Sequence, residues 1–318
     1  MAAAILSCWR GSRQHDLAAM LGAPAMHIYQ ILNHYTPRAE LDPGFEVLDN
    51  SANERPDWYE YWPIRNFLVN QPLDENAYYG FLSPKFKIKT NLTAEQTRAF
   101  IVAAPADTDV VLFSPSIHKS AYYLNVFEHG NVEHPGLKGT AERFFARIGQ
   151  AASLADLVTD SRNTVHSNYF IAKPRFWREW LAITEQIYSL AESPDDPLGA
   201  ELRAPTHYRG ERSVQMKIFL MERVATWILA TNLEFRARVR DPFVARTRIY
   251  KLPLAIMCDS LKIAYTTERR GQYKDVFMLV SALSGWWTWQ LKAAGFLRIE
   301  AVRRHLKKLK SYWERNSA

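Results

Sequence analysis

Short apolar runs of strand type alternate with helical segments along the first two-thirds of this chain. Residues 26–32 (MHIYQIL) are apolar enough for a buried strand, and residues 109–113 (DVVLF) are rich in β-branched side chains. Helical patterns cover residues 93–103, 140–150, 174–192 and 214–233. Asn91 or Thr93 can cap the first of these helices, and Pro174 suits the first turn of the third. Strands that alternate with helices predict a sheet covered by helices on both faces, with ligands beyond the carboxyl ends of the strands.

We therefore expect an α/β protein with a Rossmann-like sheet flanked by helices and a helical C-terminal section. The predicted parts are a flexible N-terminal extension over residues 1–25, an α/β domain over 26–258 and a basic helical section over 259–318. The N-terminal residues lack a continuous apolar core of signal-peptide type. No uncharged stretch has both the length and the apolar character of a membrane span, so we expect a cytoplasmic protein.

Positive charge is concentrated near the C-terminus. The chain carries 40 Lys and Arg against 33 Asp and Glu, a formal net charge of +7, and residues 298–315 are rich in Lys and Arg. A basic patch attracts phosphate on a nucleotide, a nucleic acid or a lipid head group. Cys8 and Cys258 are the two cysteines of the chain, which excludes a disulfide framework and a cysteine-based zinc site.

Common nucleotide and hydrolase fingerprints are absent from the sequence. It contains no G-x-G-x-x-G after a strand, no G-x-x-x-x-G-K-[ST], no G-x-S-x-G and no H-E-x-x-H. These absences disfavour the dehydrogenase, P-loop kinase, serine hydrolase and zincin classes. With 13 glycines in all, a phosphate cradle built from glycine backbone is disfavoured as well.

One acidic pair has the spacing of a metal site but a poor position. Asp107 and Asp109 form a D-x-D pattern, whose hard oxygen ligands suit magnesium or manganese. Such a pair is expected after its strand, whereas this one precedes the apolar residues 110–113. The loop that does follow the strand begins at Ser114 and is poor in acid. A divalent metal is therefore not supported by a well-placed motif, and Lys, Arg or His is the alternative partner for a diphosphate.

Three polar segments are candidates for binding or catalysis. Residues 125–136 (NVFEHGNVEHPG) contain two Glu-His pairs that suit a general base or metal ligands, the alternative being a hydrated loop. Residues 49–65 combine amides, carboxylates, an Arg and indole rings, which suit a sugar, the alternative being a cap-and-turn region. Lys85, Lys87 and Lys89 alternate as on one strand face, where they would meet phosphate or form a solvated edge.

Two further motifs carry a resemblance to a known family. An Asn-aromatic pair at Asn168 leads into A-x-x-x-F-W over residues 172–177, and F-x-x-E-R follows over residues 219–223. Together they resemble bacterial GT-A-type glycosyltransferase-like proteins of capsule, O-antigen and lipopolysaccharide loci, over residues 26–232. The resemblance implies a GT-A-like sheet, a nucleotide-sugar donor, a saccharide acceptor, and Asn168 and Glu222 near the site.

The first hypothesis is accordingly an enzyme that transfers a sugar from a nucleotide-sugar donor to a glycan. Its candidate catalytic residues are Glu128, His129 and Glu222. Its candidate substrate-binding residues are Asp49, Asn50, Arg65, Ser114 and Asn168. The alternative is a non-catalytic carbohydrate-binding or scaffolding protein of the same pathway. A nucleic-acid binder ranks last, because no HTH, zinc-finger or RRM pattern accompanies the basic C-terminus.

The C-terminal helices add an expectation about membranes. Trp286, Trp287 and Trp289 precede the basic stretch, and Trp beside Lys and Arg is typical of an interfacial amphipathic helix. Peripheral contact with the inner membrane would suit an enzyme with a lipid-linked acceptor. The alternative is a core-packed helix followed by a solvated basic one.

Overall fold

The computed structural model describes residues 24–115, 117, 119–150, 153–208, 212–243 and 252–293. The described strands are β1 (Met26–Asn33), β2 (Glu46–Asn50), β3 (Tyr78–Leu82), β4 (Val110–Leu112), β5 (Phe170–Ala172), β6 (Pro205–Tyr208), β7 (Arg212–Gln215) and β8 (Ala237–Val239). Six of them form one sheet in the order β2–β1–β3–β5–β4–β8, and β6 pairs with β7 in a separate antiparallel hairpin.

One strand of the large sheet runs against the others. β5 is antiparallel to both of its neighbours, β3 and β4, whereas the remaining pairings are parallel. The carboxyl ends of five strands and the amino end of β5 therefore share one edge. The result is a mixed α/β, mostly parallel sheet compatible with a Rossmann-like fold, and the prediction of this class is confirmed at that level.

Helices flank the sheet. They are α1 (Tyr61–Asn70), α2 (Phe86–Thr90), α3 (Ala94–Val102), α4 (Val126–Glu133), α5 (Leu137–Arg147), α6 (Pro174–Glu192), α7 (Pro197–Arg203), α8 (Met216–Met221), α9 (Val224–Thr231), α10 (Leu252–Glu268) and α11 (Gly271–Ala293). Among the described residues no helix is both long and apolar enough to cross a membrane.

Both faces of the sheet are buried, which explains why the strands read as continuous apolar runs. Along β3, Tyr79 and Phe81 face the larger core with α1, α4–α6, α8 and α9. Tyr78 and Leu82 point to the opposite face, where α2 and α3 form a smaller core. Successive side chains of a strand alternate between faces, so one strand contributes to both cores.

Local sequence signals set several helix ends. The Thr93 side chain accepts from the Gln96 backbone N–H and Gln96 returns a bond to the Thr93 N–H, so a capping box opens α3. Pro174 occupies the first turn of α6, which ends at Glu192. The Asn125 side-chain oxygen accepts from the backbone N–H groups of Phe127 and Glu128 and so caps α4.

Two predicted elements differ from the structure. The segment around Lys85, Lys87 and Lys89 is not a strand face but α2, because Ser83 and Pro84 end β3 and the following residues close one helical turn. The predicted long helix over residues 214–233 is divided into β7, α8 and α9.

The division between α8 and α9 has a visible cause. Arg223 donates to the carbonyl oxygens of Phe219 and Val126, at 2.6 and 3.0 Å. It thereby satisfies a carbonyl that α8 leaves unpaired at its end. The Arg223 guanidinium thus donates to the Phe219 carbonyl in place of a helical backbone N–H.

The C-terminal section forms a helical hairpin. α10 and α11 are joined at Arg269 and Arg270, and they pack against each other. α10 begins at Leu252, so this helix runs across the predicted boundary at residue 258. The predicted N-terminal extension, except for its last two residues, and the basic residues from 294 onward lie outside the described residues.

Gly80 generates a test of the sheet packing, because a β-carbon there would lie 2.6 Å from Ile171 Cγ1 on β5. We predict that Gly80→Ala lowers the free energy of unfolding by about 1–3 kcal/mol, since overpacking forces the strands apart. Urea unfolding at unchanged m-value measures this cost. In an Ile171→Ala background the same change should cost less than about 0.5 kcal/mol, and an equal cost in both backgrounds would contradict the packing.

Candidate functional site

A cavity of about 840 Å³ opens at the carboxyl edge of the sheet. His34 follows β1, Ser83 follows β3, and Asn168 precedes β5, so these three lining residues reach the same edge. β1 lies between β2 and β3, and the chain therefore changes direction across the sheet at this point. Open α/β sheets bind ligands at such a switch point, and the volume is typical of ligand sites.

The turn before α1 forms one wall of the cavity and is held by ion pairs. The Lys217 ammonium on α8 lies 2.8 Å from Asp57 Oδ2 and 3.8 Å from the centre of the Trp58 ring. Its side chain is only 2% exposed. Arg55 binds Asp57 and also Glu192 at the end of α6, at 2.7 Å. Burial would raise the pKa of Asp57, but hydrogen bonds from Arg55 and Lys217 outweigh it and lower the value to about 2.

Two lining residues have strained backbone. Tyr59 has φ 49° and ψ −132°, and Ser167 has φ 52°. Side-chain-bearing residues rarely adopt positive φ, and such strain clusters at ligand sites. Tyr59 and Tyr35, both strongly exposed, also place aromatic rings at the cavity.

Glu60 follows the strained turn and lies at the electrostatic centre of the cavity. Burial raises the pKa of its carboxyl above the ordinary value and the Glu222 carboxylate raises it further, while Ser83, Lys89 and Asn168 act in the opposite direction. All four partners also line the cavity. Glu60 is therefore a candidate to accept or donate a proton in the cavity.

Two lysines contribute positive charge from α2. Lys85 and Lys89 are four residues apart, on one face of a helical turn, and both line the cavity. The Lys89 ammonium lies 5.1 Å from the centre of the Tyr169 ring. Lys87, between them in sequence, lies 4.0 Å from Asp42 Oδ2 and does not line the cavity. The pair can approach an anion such as a phosphate.

The two residues singled out by the family motifs both line the cavity. Asn168 donates from Nδ2 to the Phe81 carbonyl oxygen, and its buried Oδ1 has no hydrogen-bond partner. Ser167 donates its hydroxyl to Glu222 Oε1 at 3.0 Å. A buried acceptor without a donor is costly, and this one belongs to a residue that lines the cavity.

A polar annex of about 50 Å³ adjoins the cavity, and Ser167 and Glu222 line both spaces. Its other wall includes His129 and Arg223. Burial lowers the pKa of His129 to about 3, and the neighbouring His166 and Arg223 act in the same direction. The imidazole is therefore neutral and a weak proton acceptor at physiological pH.

Three other sequence-predicted residues lie outside the cavity lining. Asp49 is the penultimate residue of β2 and accepts from the Ser51 backbone N–H at 2.8 Å. Asn50 donates to a side chain at the end of β1. Arg65 binds Glu185 on α6 through two hydrogen bonds of 2.6 and 2.8 Å, which joins α1 to α6. The structure does not bring these residues together with Asn168 and Glu222.

Ser114 and Glu128 also have structural partners away from the cavity. The Ser114 hydroxyl oxygen accepts from the His166 backbone N–H at 3.1 Å. Glu128 accepts from the Leu124 backbone N–H and lies 3.6 Å from the Lys138 ammonium. Neither residue is among those that line the cavity.

The D-x-D pair does not fit a metal site. Asp109 precedes β4 at the edge opposite the cavity and is bound by Arg175 through two hydrogen bonds of 2.6 Å. Asp107 is paired with Arg236 at 2.5 Å. Within the described part of the chain, no group of three or more His, Cys, Asp or Glu side chains is arranged to hold a metal ion.

The sequence contains only an indirect signal for the residues that dominate the cavity. Glu60 belongs to the polar and aromatic stretch 49–65 that suits a sugar, but nothing in that stretch distinguishes it from its neighbours. Lys85 and Lys89 belong to the lysine row that is visible in the sequence. That these two line the cavity while Lys87 does not follows from the helical structure of the segment, which the row alone does not reveal. Comparisons with protein-family models, with curated proteins and with solved structures find no match for this chain.

The depressed pKa of His129 generates a prediction for stability. Below its ordinary value of 6.5 the unfolded chain takes up a proton that the folded state, with a pKa of about 3, does not bind. We predict that the free energy of unfolding falls as pH decreases from 6.5 towards 3, by up to about 1.4 kcal/mol per pH unit more than in His129→Leu. Urea titrations of both proteins across this range give the difference, and a difference independent of pH would contradict the prediction.

Proposed function

We propose that this protein is a glycosyltransferase, which transfers a sugar from a nucleotide-sugar donor to a saccharide acceptor in the synthesis of a bacterial surface polysaccharide. The observation that carries the proposal is the cavity at the switch point of the sheet. It combines a lysine pair, two carboxylates and an unpartnered amide oxygen in a volume suited to a nucleotide sugar. The same proposal places the protein in the cytoplasm.

The convergence of two distant motifs supports the GT-A-like assignment. Asn168 belongs to the Asn-aromatic motif and Glu222 to F-x-x-E-R, and more than fifty residues separate them. Both nevertheless line one cavity, where Ser167 connects them by its hydrogen bond to Glu222. A mostly parallel sheet with its cavity at the carboxyl edge is compatible with that family's architecture.

The lysine pair is the proposed site of the donor diphosphate. The ammonium groups of Lys85 and Lys89 would stabilise the negative charge that develops on the leaving nucleoside diphosphate. Fixed positive charge of this kind acts most strongly inside a cavity, where water screens it less. The exposed rings of Tyr35 and Tyr59 offer faces on which a sugar or base stacks.

Glu60 is the proposed proton acceptor. As the acceptor hydroxyl oxygen attacks the anomeric carbon, its proton passes to the Glu60 carboxylate. The bond from that carbon to the diphosphate oxygen breaks, and its electron pair stays on the diphosphate. Asn168 and Glu222 would orient sugar hydroxyls by hydrogen bonds. The raised pKa of Glu60 makes its carboxylate a stronger base than an ordinary exposed one.

A calorimetric panel tests the donor site. Against UDP-, GDP- and CMP-sugars we expect binding of one nucleotide class, weakened at least about ten-fold by Lys85→Ala/Lys89→Ala, because two phosphate contacts are lost. Lys87→Ala is the matched control on the same helix and should bind as the wild type does. Absence of binding to every nucleotide sugar overturns the proposal. Binding of free oligosaccharide alone would favour the non-catalytic carbohydrate-binding alternative.

Glu60→Gln separates catalysis from binding. We expect turnover to fall by about 10²–10⁴-fold with little change in donor affinity, since the amide cannot accept the proton. Because burial raises the pKa of Glu60 above 4.5 in the folded state, the wild type loses stability as pH rises past that value. The free energy of unfolding of Glu60→Gln relative to wild type should therefore increase with pH. Unchanged turnover, with the exposed Glu95→Gln as control, would exclude Glu60 as the base.

A further inference from the structure

The outer face of the C-terminal hairpin carries exposed apolar side chains. On α11, Val276, Leu279 and Leu283 follow at spacings of three and four residues, which place them on one side of a helix. All three are exposed, Leu279 to 61% and Leu283 to 50%. Single exposed apolar residues are normal, but a row of them on one helix face indicates an interaction surface.

The preceding helix extends this surface. Ile256 and Met257 on α10 are exposed as well. The hairpin turns at residues 269–270, so these two residues and Leu283 are about equally far from the turn and lie at the same end of the hairpin. We call Ile256, Met257, Val276, Leu279 and Leu283 the apolar hairpin face.

The opposite face of the hairpin is fixed to the body of the protein. Phe277 and Cys258 are buried against Leu124. The Lys262 ammonium donates to the Tyr123 carbonyl oxygen at 3.0 Å, and Ser281 donates to a neighbouring carbonyl at 2.6 Å. These contacts orient the hairpin, so its apolar face is directed away from the core.

The sequence that continues from this face indicates what covers it. α11 continues through Trp286, Trp287 and Trp289. The 25 residues after α11, from 294 to 318, contain two acids, Glu300 and Glu314, and a larger number of strong bases. These bases are Arg298, Arg303, Arg304, Lys307, Lys308, Lys310 and Arg315. Such a segment attracts an anionic surface and repels a basic one.

We propose that the apolar hairpin face docks onto an anionic lipid surface. Apolar side chains, Trp and a following run of Lys and Arg are the combination by which interfacial helices bind membranes. Either contribution alone gives weak and reversible binding, so the two together account for stable attachment. The proposal rests on the hairpin and is independent of the sugar chemistry of the cavity.

Vesicle flotation of the full chain tests this surface. We expect binding to vesicles of phosphatidylcholine mixed with phosphatidylglycerol, weaker binding at high salt, and little binding to phosphatidylcholine alone. Leu279→Asp/Leu283→Asp should lower binding to the mixed vesicles at least about ten-fold. Val132→Asp/Leu233→Asp changes two exposed apolar residues elsewhere and serves as the matched control. Circular dichroism checks that each variant is folded.

Several outcomes overturn the proposal. Wild-type protein that does not float with the anionic vesicles excludes the lipid surface. Equal binding by the hairpin variant and the control shows that the apolar face takes no part. A change of oligomeric state in the hairpin variant, without a change in vesicle binding, assigns the face to a second copy. Equally tight, salt-dependent binding to duplex DNA that the hairpin variant retains would assign the basic segment to nucleic acid.

Discussion

The ion pair between the buried Lys217 ammonium and the partly exposed Asp57 carboxylate is the contact on which the cavity depends. An ammonium enclosed by the core is costly unless an anion compensates it, and Asp57 lies 2.8 Å away for that purpose. Arg55 connects the same carboxylate to Glu192, so the turn, α8 and α6 are held by one set of charges. The same turn sets the position of Glu60, which follows Trp58 by two residues. The Trp58 ring itself lies against the Lys217 ammonium.

Much of the fold can be predicted from the sequence because local patterns determine it. The apolar run at β1, the Thr93 cap of α3 and Pro174 at the start of α6 all have the predicted structure. The failures occur where distant contacts override the local pattern. The helical periodicity over residues 214–233 does not reveal that Arg223 replaces a helical hydrogen bond at its centre.

The candidate site is less accessible to sequence reasoning for a related physical reason. Polarity alone does not say whether a side chain already has a partner. Arg65 is of a residue type common at ligand sites, yet its guanidinium is paired with Glu185. Glu128 is likewise paired with Lys138. Glu60 lacks any motif, and its importance follows from the groups that fold around it. Motifs rather than polarity select Asn168 and Glu222, and both line the cavity.

The reversed direction of β5 has a consequence for how this architecture tolerates change. Because β5 enters the sheet at the cavity edge, the connection before Phe170 contributes Ser167 and Asn168 to the site. The connection after Ala172 leaves from the far edge, where Asp109 and Arg175 meet. Insertions ahead of β5 would therefore change the cavity lining directly, whereas insertions between β5 and α6 would fall at the opposite edge of the sheet. A single inverted strand thus separates its two connections, one exposed to selection for the ligand and the other remote from it.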